Sequence, residues 1–328
     1  MKTYPLALGS VGLISGLLLF SSADAVDTED VKPNPRAVDT SSSFQNPANV
    51  INASTSPVFE LRHNVRHPQA SDAAIRLIVS PGRRILERID RVHSLSTNLN
   101  VEEIHDLYAF LTAAPAKNEN LPALHYLKNE IFTALRNQGT FPAGLTEVMI
   151  AISEDSRQDL VTRDYALQHL SIWCGEGAED EAGSAQRIRN TLIQAAQQPT
   201  TLAGTALLGL HRLSFLDGGL EAKRINDLAL NIIRDQEMPN ATRITATAIC
   251  GERKAEGALP VIEAVALDKS SPMGLRISAV GALGQIGKVQ SVKLLRKLEA
   301  SERDPVIRGA VAAALGRLKR DMASRGPL

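Results

Sequence analysis

From about residue 71 to residue 323, apolar side chains recur at steps of three and four. Ile104, Leu107, Tyr108 and Leu111 share one stripe, as do Leu145, Val148, Met149 and Ile152, and again Ile225, Leu228, Ala229, Ile232 and Ile233. That period lays one oily face along a helix and leaves the opposite face wet. Gly, Pro, Asn or Asp divides the pattern into pieces of 10 to 18 residues. No window alternates with period two, so an all-α fold is expected.

The pattern also repeats on a longer scale. R-x-x-A-x-x-x-L-G is spelled by Arg276, Ala279, Leu283 and Gly284, with Val311 in the Ala place by Arg308, Val311, Leu315 and Gly316, and by Arg243, Ala246, Cys250 and Gly251. Arg163, Ala166, Leu170 and Ser171 follow it with serine for glycine, and weaker copies start at Ala203 and Lys128. The anchors stand 35, 40, 40, 33 and 32 residues apart, with one amphipathic helix between each. A unit of helix, turn and second helix cannot cover its own apolar surface and must stack on the next. The expectation is an α-solenoid of about six such repeats. Ala279, Ala282, Ala310, Ala313 and Ala314 give the second helices a small-residue face for close approach. Pro272 and Pro305 suit first turns, Asp304 suits an N-cap, and Gly284, Gly287 and Gly316 suit helix ends or tight packing.

Asp304 to Arg308, continuing through Ala314-Leu315-Gly316, and Pro272 to Gly287 resemble HEAT-like repeats, particularly the short bacterial type related to the repeats of phycobilisome bilin lyases. The resemblance is specific over about residues 239 to 320 and fades back to about residue 100. A tetratricopeptide array would need aromatic positions that this chain lacks. The resemblance implies that the recurrent Arg pairs with an acid near its own turn. Asp159 and Asp304 stand four residues before Arg163 and Arg308, whereas Ser271 and Pro239 take that place before Arg276 and Arg243. It implies scaffolding and partner binding far more often than catalysis.

The N-terminus has a different grammar. Lys2, the apolar run from Leu6 to Phe20 and Ala23-Asp24-Ala25 compose an export signal with cleavage expected after Ala25. The run is too short and too broken to span a bilayer. Residues 26–70 are rich in Ser, Thr, Asn and Pro without period, and read as a disordered arm. The repeats are then placed at 71–323, a short tail at 324–328, and the protein in the periplasm or outside the cell. Only Cys174 and Cys250 are present, two repeats apart and too distant to bridge; both are expected as buried thiols. The sequons at Asn52 and Asn240 carry little weight.

Charge and chemistry narrow the function. Lys+Arg and Asp+Glu both number 36, but residues 288–328 hold ten cations against four acids. That net of +6 makes one end basic. Lys293, Arg296, Lys297, Arg317, Lys319 and Arg320 are expected to give the terminal repeat a polar outer face, or to dock an acidic partner. The loop Gly175 to Gly183 packs four acids into nine residues and reads as solvated. There is no His-Glu dipeptide, which removes the di-iron hydroxylase branch of the HEAT-like proteins together with the zinc-protease motif. C-x-x-C, G-x-S-x-G and S-x-x-K are absent too, and Gly281, Gly284 and Gly287 have the wrong spacing for a nucleotide loop. His63 and His67 lie beside Pro68 without a carboxylate or thiol close by, and read as solvated. His169 and His211 occupy matching second helices and are expected to be partly buried, with Trp173 and Cys174 closing a repeat core. Aromatic residues make up 4% of the chain, too few for stacking sugars or bases. The expectation is a non-enzymatic, exported scaffold with no catalytic residues, no metal and no cofactor. It would bind a protein partner, without nucleic acid and without a membrane span after cleavage. The alternatives are an enzyme or accessory of the bilin-lyase type holding a small ligand in its groove, and a structural component of an envelope assembly.

Overall fold

The computed structural model describes residues 68–114, 121–176, 183–215 and 220–324. The chain divides into Met1–Val65 and Arg66–Leu328, and every described residue belongs to the second unit. The export signal, the body of the arm, His63, His67 and the tail beyond residue 324 lie outside the described residues. A helix begins at Pro68, inside the stretch 26–70 expected as the arm.

Among the described residues every regular element is helical. The α-helices run α1 Pro68–Val79, α2 Ile85–His93, α3 Val101–Thr112, α4 Leu121–Arg136, α5 Leu145–Glu154, α6 Leu160–Glu176 and α7 Ser184–Ala196. They continue with α8 Leu202–Leu213, α9 Leu220–Arg234, α10 Asn240–Glu252, α11 Leu259–Leu267, α12 Met273–Ile286, α13 Val289–Ser301 and α14 Pro305–Ser324. Each packs chiefly on the helices one and two places away in the chain. Odd-numbered helices therefore form one layer and even-numbered helices the other, the signature of a solenoid. There are seven hairpins where about six were expected. The six anchors read from the sequence all fall in second helices, α4 to α14. The additional hairpin is α1–α2, whose anchor is Arg88.

Arg88 shows what the recurrent cation does. Its Nε donates to the carbonyl of Ile78 at 2.7 Å. Arg163 Nε reaches Ser153 O at 2.9 Å, Arg243 Nε reaches Ile233 O at 3.2 Å and Arg276 Nε reaches Ala266 O at 3.4 Å. In each case the cation is the fourth residue of the second helix, and the carbonyl belongs to the penultimate residue of the first. The last carbonyls of a helix lack intrahelical donors, and a cation there also meets the negative end of the helix dipole. Lys128 does the same work in α4, its Nζ donating to Leu111 O and Ala113 O at 3.0 Å each and to Gln158 Oε1 at 3.1 Å. Arg308 does not. The turn before its helix has three residues, against five in the four Arg-capped hairpins, so the carbonyl is out of register and Arg308 is exposed.

This geometry corrects the expected pairing of Arg with its own acid. Asp159 Oδ1 accepts from Val161 N and Thr162 N, and Asp304 Oδ1 from Val306 N and Ile307 N. Both acids cap their helices instead of pairing with Arg163 or Arg308. Pro272 likewise sits at the N-cap of α12, one place before the first turn.

The glycine of the motif marks where successive second helices cross. A Cβ on Gly251 would lie 2.8 Å from Ala282 Cα, and one on Gly284 would lie 3.0 Å from Ala314 Cα. α10, α12 and α14 are thus packed backbone to backbone, which the small-residue face anticipated. Between α6 and α8 the roles reverse: Ser171 holds the motif position, and Gly209 opposite supplies the space, 2.9 Å from Ser171 Cβ. Gly287 closes α12 at φ 77°, in the left-handed region that suits glycine.

Candidate binding surface

Polar side chains of the second helices reach one another across the repeats. His93 Nε2 lies 2.8 Å from Glu130 Oε2, joining α2 to α4. Thr205 Oγ1 donates to Asp164 Oδ1, joining α8 to α6, and Gln168 Nε2 donates to the other oxygen at 2.7 Å. Burial raises the Asp164 carboxyl above its ordinary range.

His169 is buried on Phe132, with ring centroids 5.0 Å apart. Its Nδ1 faces Arg136 Nη1 at 3.0 Å and its Nε2 faces Asn129 Oδ1 at 3.1 Å. Arginine only donates, so Nδ1 must accept and Nε2–H must donate. Burial, and secondarily the Arg136 charge, hold this imidazole neutral, with its pKa pushed down to about 3. His211, its counterpart in α8, looks the other way along the stack. Its Nε2 meets Glu252 Oε2 at 3.0 Å and its Nδ1 meets Arg253 Nη1 at 3.3 Å, while Arg253 also donates to Ser214 Oγ at 2.7 Å. Burial lowers the His211 pKa against the pull of Glu252. The two histidines do not converge on one surface. With both ring nitrogens engaged, neither has a lone pair free for a metal or a substrate proton.

The remaining candidates divide similarly. Cys174 and Cys250 are both buried and unbridged, and burial pushes the Cys250 thiol up to about 12, far from reactive thiolate. Trp173 is buried beside Cys174 and donates through Nε1 to Thr146 Oγ1 at 3.0 Å. Among the described residues, no three His, Cys, Asp or Glu side chains come together as a metal cage, and no helix is long and apolar enough to cross a membrane. The acidic loop lies mostly outside the described residues, with α6 running to Glu176 and α7 entered through Gly183 at φ 78°. Lys293, Arg296 and Lys297 on α13 and Arg317, Lys319 and Arg320 on α14 are all exposed. None has an ion-pair partner within the described residues.

One electrostatic feature escaped the sequence reading. Arg276 Nη2 meets Glu302 Oε2 at 2.5 Å, with both side chains largely buried. The guanidinium and two backbone amides hold this carboxyl down to about 2. Glu302 comes from the next hairpin, so a search within one repeat misses it. A second signal was available: Asp155, Asp235 and Asp268 each stand eight residues before Arg163, Arg243 and Arg276. Each directly follows a first helix and accepts a backbone N–H two residues on, at 2.9 Å. That Asx turn sets the five-residue connection that brings the Arg to its carbonyl.

A family model described as HEAT repeats matches residues 226–316, which covers α10 to α13 and parts of α9 and α14. That segment is similar to HEAT repeats. Among solved structures, human deoxyhypusine hydroxylase in complex with glycerol is 16% identical, with a TM-score of 0.35, over 77% of this chain and 97% of that one. Kap121p is 11% identical, with a TM-score of 0.38, over 77% of this chain and 38% of that one. No curated protein matches the chain.

Proposed function

We propose that the protein is an exported, non-enzymatic scaffold that binds a partner protein along its helical repeats, in the periplasm or outside the cell. The observation that carries this reading is the set of six exposed cations on α13 and α14, without an ion-pair partner among the described residues, in a chain whose net charge is zero and whose remainder is therefore acidic. Beside them runs an open stack of near-neighbour contacts, which offers area instead of an enclosed site, as protein recognition requires. The engaged histidines and buried thiols are consistent with a surface that binds without reacting. Export rests on the apolar run at residues 6–20 and on Ala23-Asp24-Ala25.

Cross-linking in the native cell, followed by salt titration of the captured complex, tests it. The expected result is an acidic protein partner whose affinity falls as salt rises, and falls further when Arg317 and Arg320 are changed to Glu. Affinity indifferent to salt would remove the basic surface from the interface. A visible absorbance band on the purified protein would favour the small-ligand alternative instead.

A further inference from the structure

Between the α9–α10 hairpin and α11 lies a hollow of about 260 Å³. Val261 and Val265 line its apolar part, and Arg234, Gln236, Arg243 and Asp268 its polar part. Arg243 is 6% exposed. Its Nε is spent on Ile233 O and its Nη1 on Gln236 Oε1, each at 3.2 Å. Its Nη2 has no protein partner among the described residues.

One repeat further on, the same nitrogen is filled. Arg276 occupies the same place in α12 as Arg243 in α10, and its Nη2 holds Glu302, the first residue after α13. The first residue after α11 is Asp268, one methylene shorter. Its oxygens are already taken by Ser270 N at 2.9 Å, Ser270 Oγ at 2.6 Å and Ser271 Oγ at 2.8 Å. Arg243 is therefore a nearly buried cation that lacks the direct carboxylate contact its twin possesses, with its Nη2 left to the hollow.

We propose that this hollow is a carboxylate-binding site, filled in the working complex as Glu302 fills the site at Arg276. Arg243 Nη2 and the amide nitrogen of Gln236, whose oxygen is engaged, supply the donors. Arg234 adds a second positive charge, and the valines accept the methylenes beneath. The space is smaller than the roughly 300–1,000 Å³ of ordinary small-molecule pockets and suits a single side chain. Asp268, kept ionised by its serine partners, penalises a dianion such as phosphate and leaves a monovalent carboxylate favoured. The site stands on its own geometry. Only the identification of its occupant as a partner's acidic side chain rests on the scaffold reading.

The test is a titration of the full chain carrying ¹⁵N-labelled arginine, following the Arg243 Nε–H resonance. Sodium acetate and the tripeptide acetyl-Ala-Glu-Ala-amide are compared with sodium chloride at equal ionic strength. Both carboxylates are expected to give a saturable shift, at a Kd of about 1 mM or weaker, with the Arg276 resonance unmoved and chloride without saturable effect. Tighter binding of the tripeptide identifies an acidic side chain as the occupant, and tighter binding of acetate a free small carboxylate. Gln236→Glu keeps Arg243 and places a competing carboxylate on Nη1, and is expected to weaken both probes at least tenfold. Arg243 shifts that track chloride, or a response unchanged in Gln236→Glu, would overturn the site. Since no partner is present in the titration, that outcome leaves the scaffold reading intact, just as failed cross-linking leaves the site intact.

Discussion

The two halves of the stack reach the same architecture by different physics. From α9 to α14, successive second helices touch through missing side chains: Gly251 receives Ala282 and Gly284 receives Ala314. From α2 to α8, where Gly209 against Ser171 is a single close crossing, they are joined by side chains that reach: His93 to Glu130, His169 to Arg136 and Asn129, Thr205 to Asp164. Close backbone approach gains dispersion over a whole helix face and tolerates few residue types. Polar reach gains a few directional bonds, and many different pairs can supply it. A repeat family is recognised by restricted positions, so the match to HEAT repeats falls on residues 226–316, where glycine and alanine carry the contact.

The comparison breaks most sharply at Lys128, the most polar buried anchor, which is 1% exposed. Lys128→Met retains much of the aliphatic volume but leaves Leu111 O, Ala113 O and Gln158 Oε1 without this donor. Unsatisfied buried groups cost about 1–3 kcal/mol each, and partial relaxation should bring the total loss to about 3–5 kcal/mol. Urea denaturation checks the magnitude. Hydrogen exchange should place the damage in α3 to α6 and leave α12–α14 at wild-type protection, as expected when each repeat depends on its neighbours alone.

Gly284→Val strikes the other half. Its Cβ would fall 2.9 Å from Ala314 Cβ and 3.0 Å from Ala314 Cα, and backbone on the far side cannot step aside. Overpacking of this kind costs about 1–3 kcal/mol, here expected near the upper end. The exchange pattern should be the mirror of that for Lys128→Met, with α14 opening first.

These two positions also show what could be read without coordinates. Gly284 was legible because its neighbours in sequence repeat at Gly316 and Gly251, and the small-residue face follows from that periodicity alone. The all-α class, the stacking of hairpins and the buried thiols were legible for the same reason: period and spacing are local properties of the chain. Lys128 was found as a weak copy of an Arg, but its acceptors are up to 30 residues away and include a side chain of the next hairpin. The seventh hairpin was missed because Arg91 stands where the motif has Ala after Arg88 and Ser96 stands in the glycine place, so only the cation and Leu95 survive of the pattern. Glu302 was missed because its partner sits one repeat back, and the family expectation of an acid in the same turn pointed to the capping residues instead.

The halves should also separate by pH. His169 is neutral when folded, with a pKa of about 3 against 6.5 for an exposed imidazole. Between those values the unfolded chain takes up a proton that the folded chain refuses, so stability declines as pH falls below 6.5. By pH 5 the loss should be about 2 kcal/mol, given about 1.36 kcal/mol per pH unit. Asp164, whose folded carboxyl is raised, opposes this at still lower pH by gaining its proton first in the folded state. Glu302 acts in the opposite half and in another window. Its stabilisation is complete above pH 4.5 and is lost as pH falls towards about 2. Denaturation midpoints across pH 7 to 5 should therefore slope in the wild type and slope less steeply in His169→Gln, the remaining slope coming from His211, whose pKa burial also lowers. Exchange in the α12–α14 segment should respond only below pH 4.5. Equal loosening of both halves at pH 5 would refute the assignment.

The smallest effects compare two helix positions in the glycine-bearing half. Lys254 follows α10 at φ 50°, at the same distance from Arg243 as Gly287 from Arg276, so one repeat places lysine where the next places glycine. A side chain in the left-handed region is strained, and Lys254→Gly should stabilise by about 0.5–1 kcal/mol. Gly316 is the converse. It stands in the motif position of Gly251 and Gly284, but a Cβ there would meet only the tip of Arg320 at 3.7 Å, because no described helix crosses it. With the crossing absent, glycine retains only its entropic cost inside a helix, and Gly316→Ala should stabilise by about 0.5–1 kcal/mol. Thermal midpoints of the two variants and of Gly284→Ala decide the point. If glycine in this motif serves packing, alanine must help at Gly316 and harm at Gly284; the same sign at both would mean that the motif is conformational, and that the contrast between the two halves does not lie in how closely their helices approach.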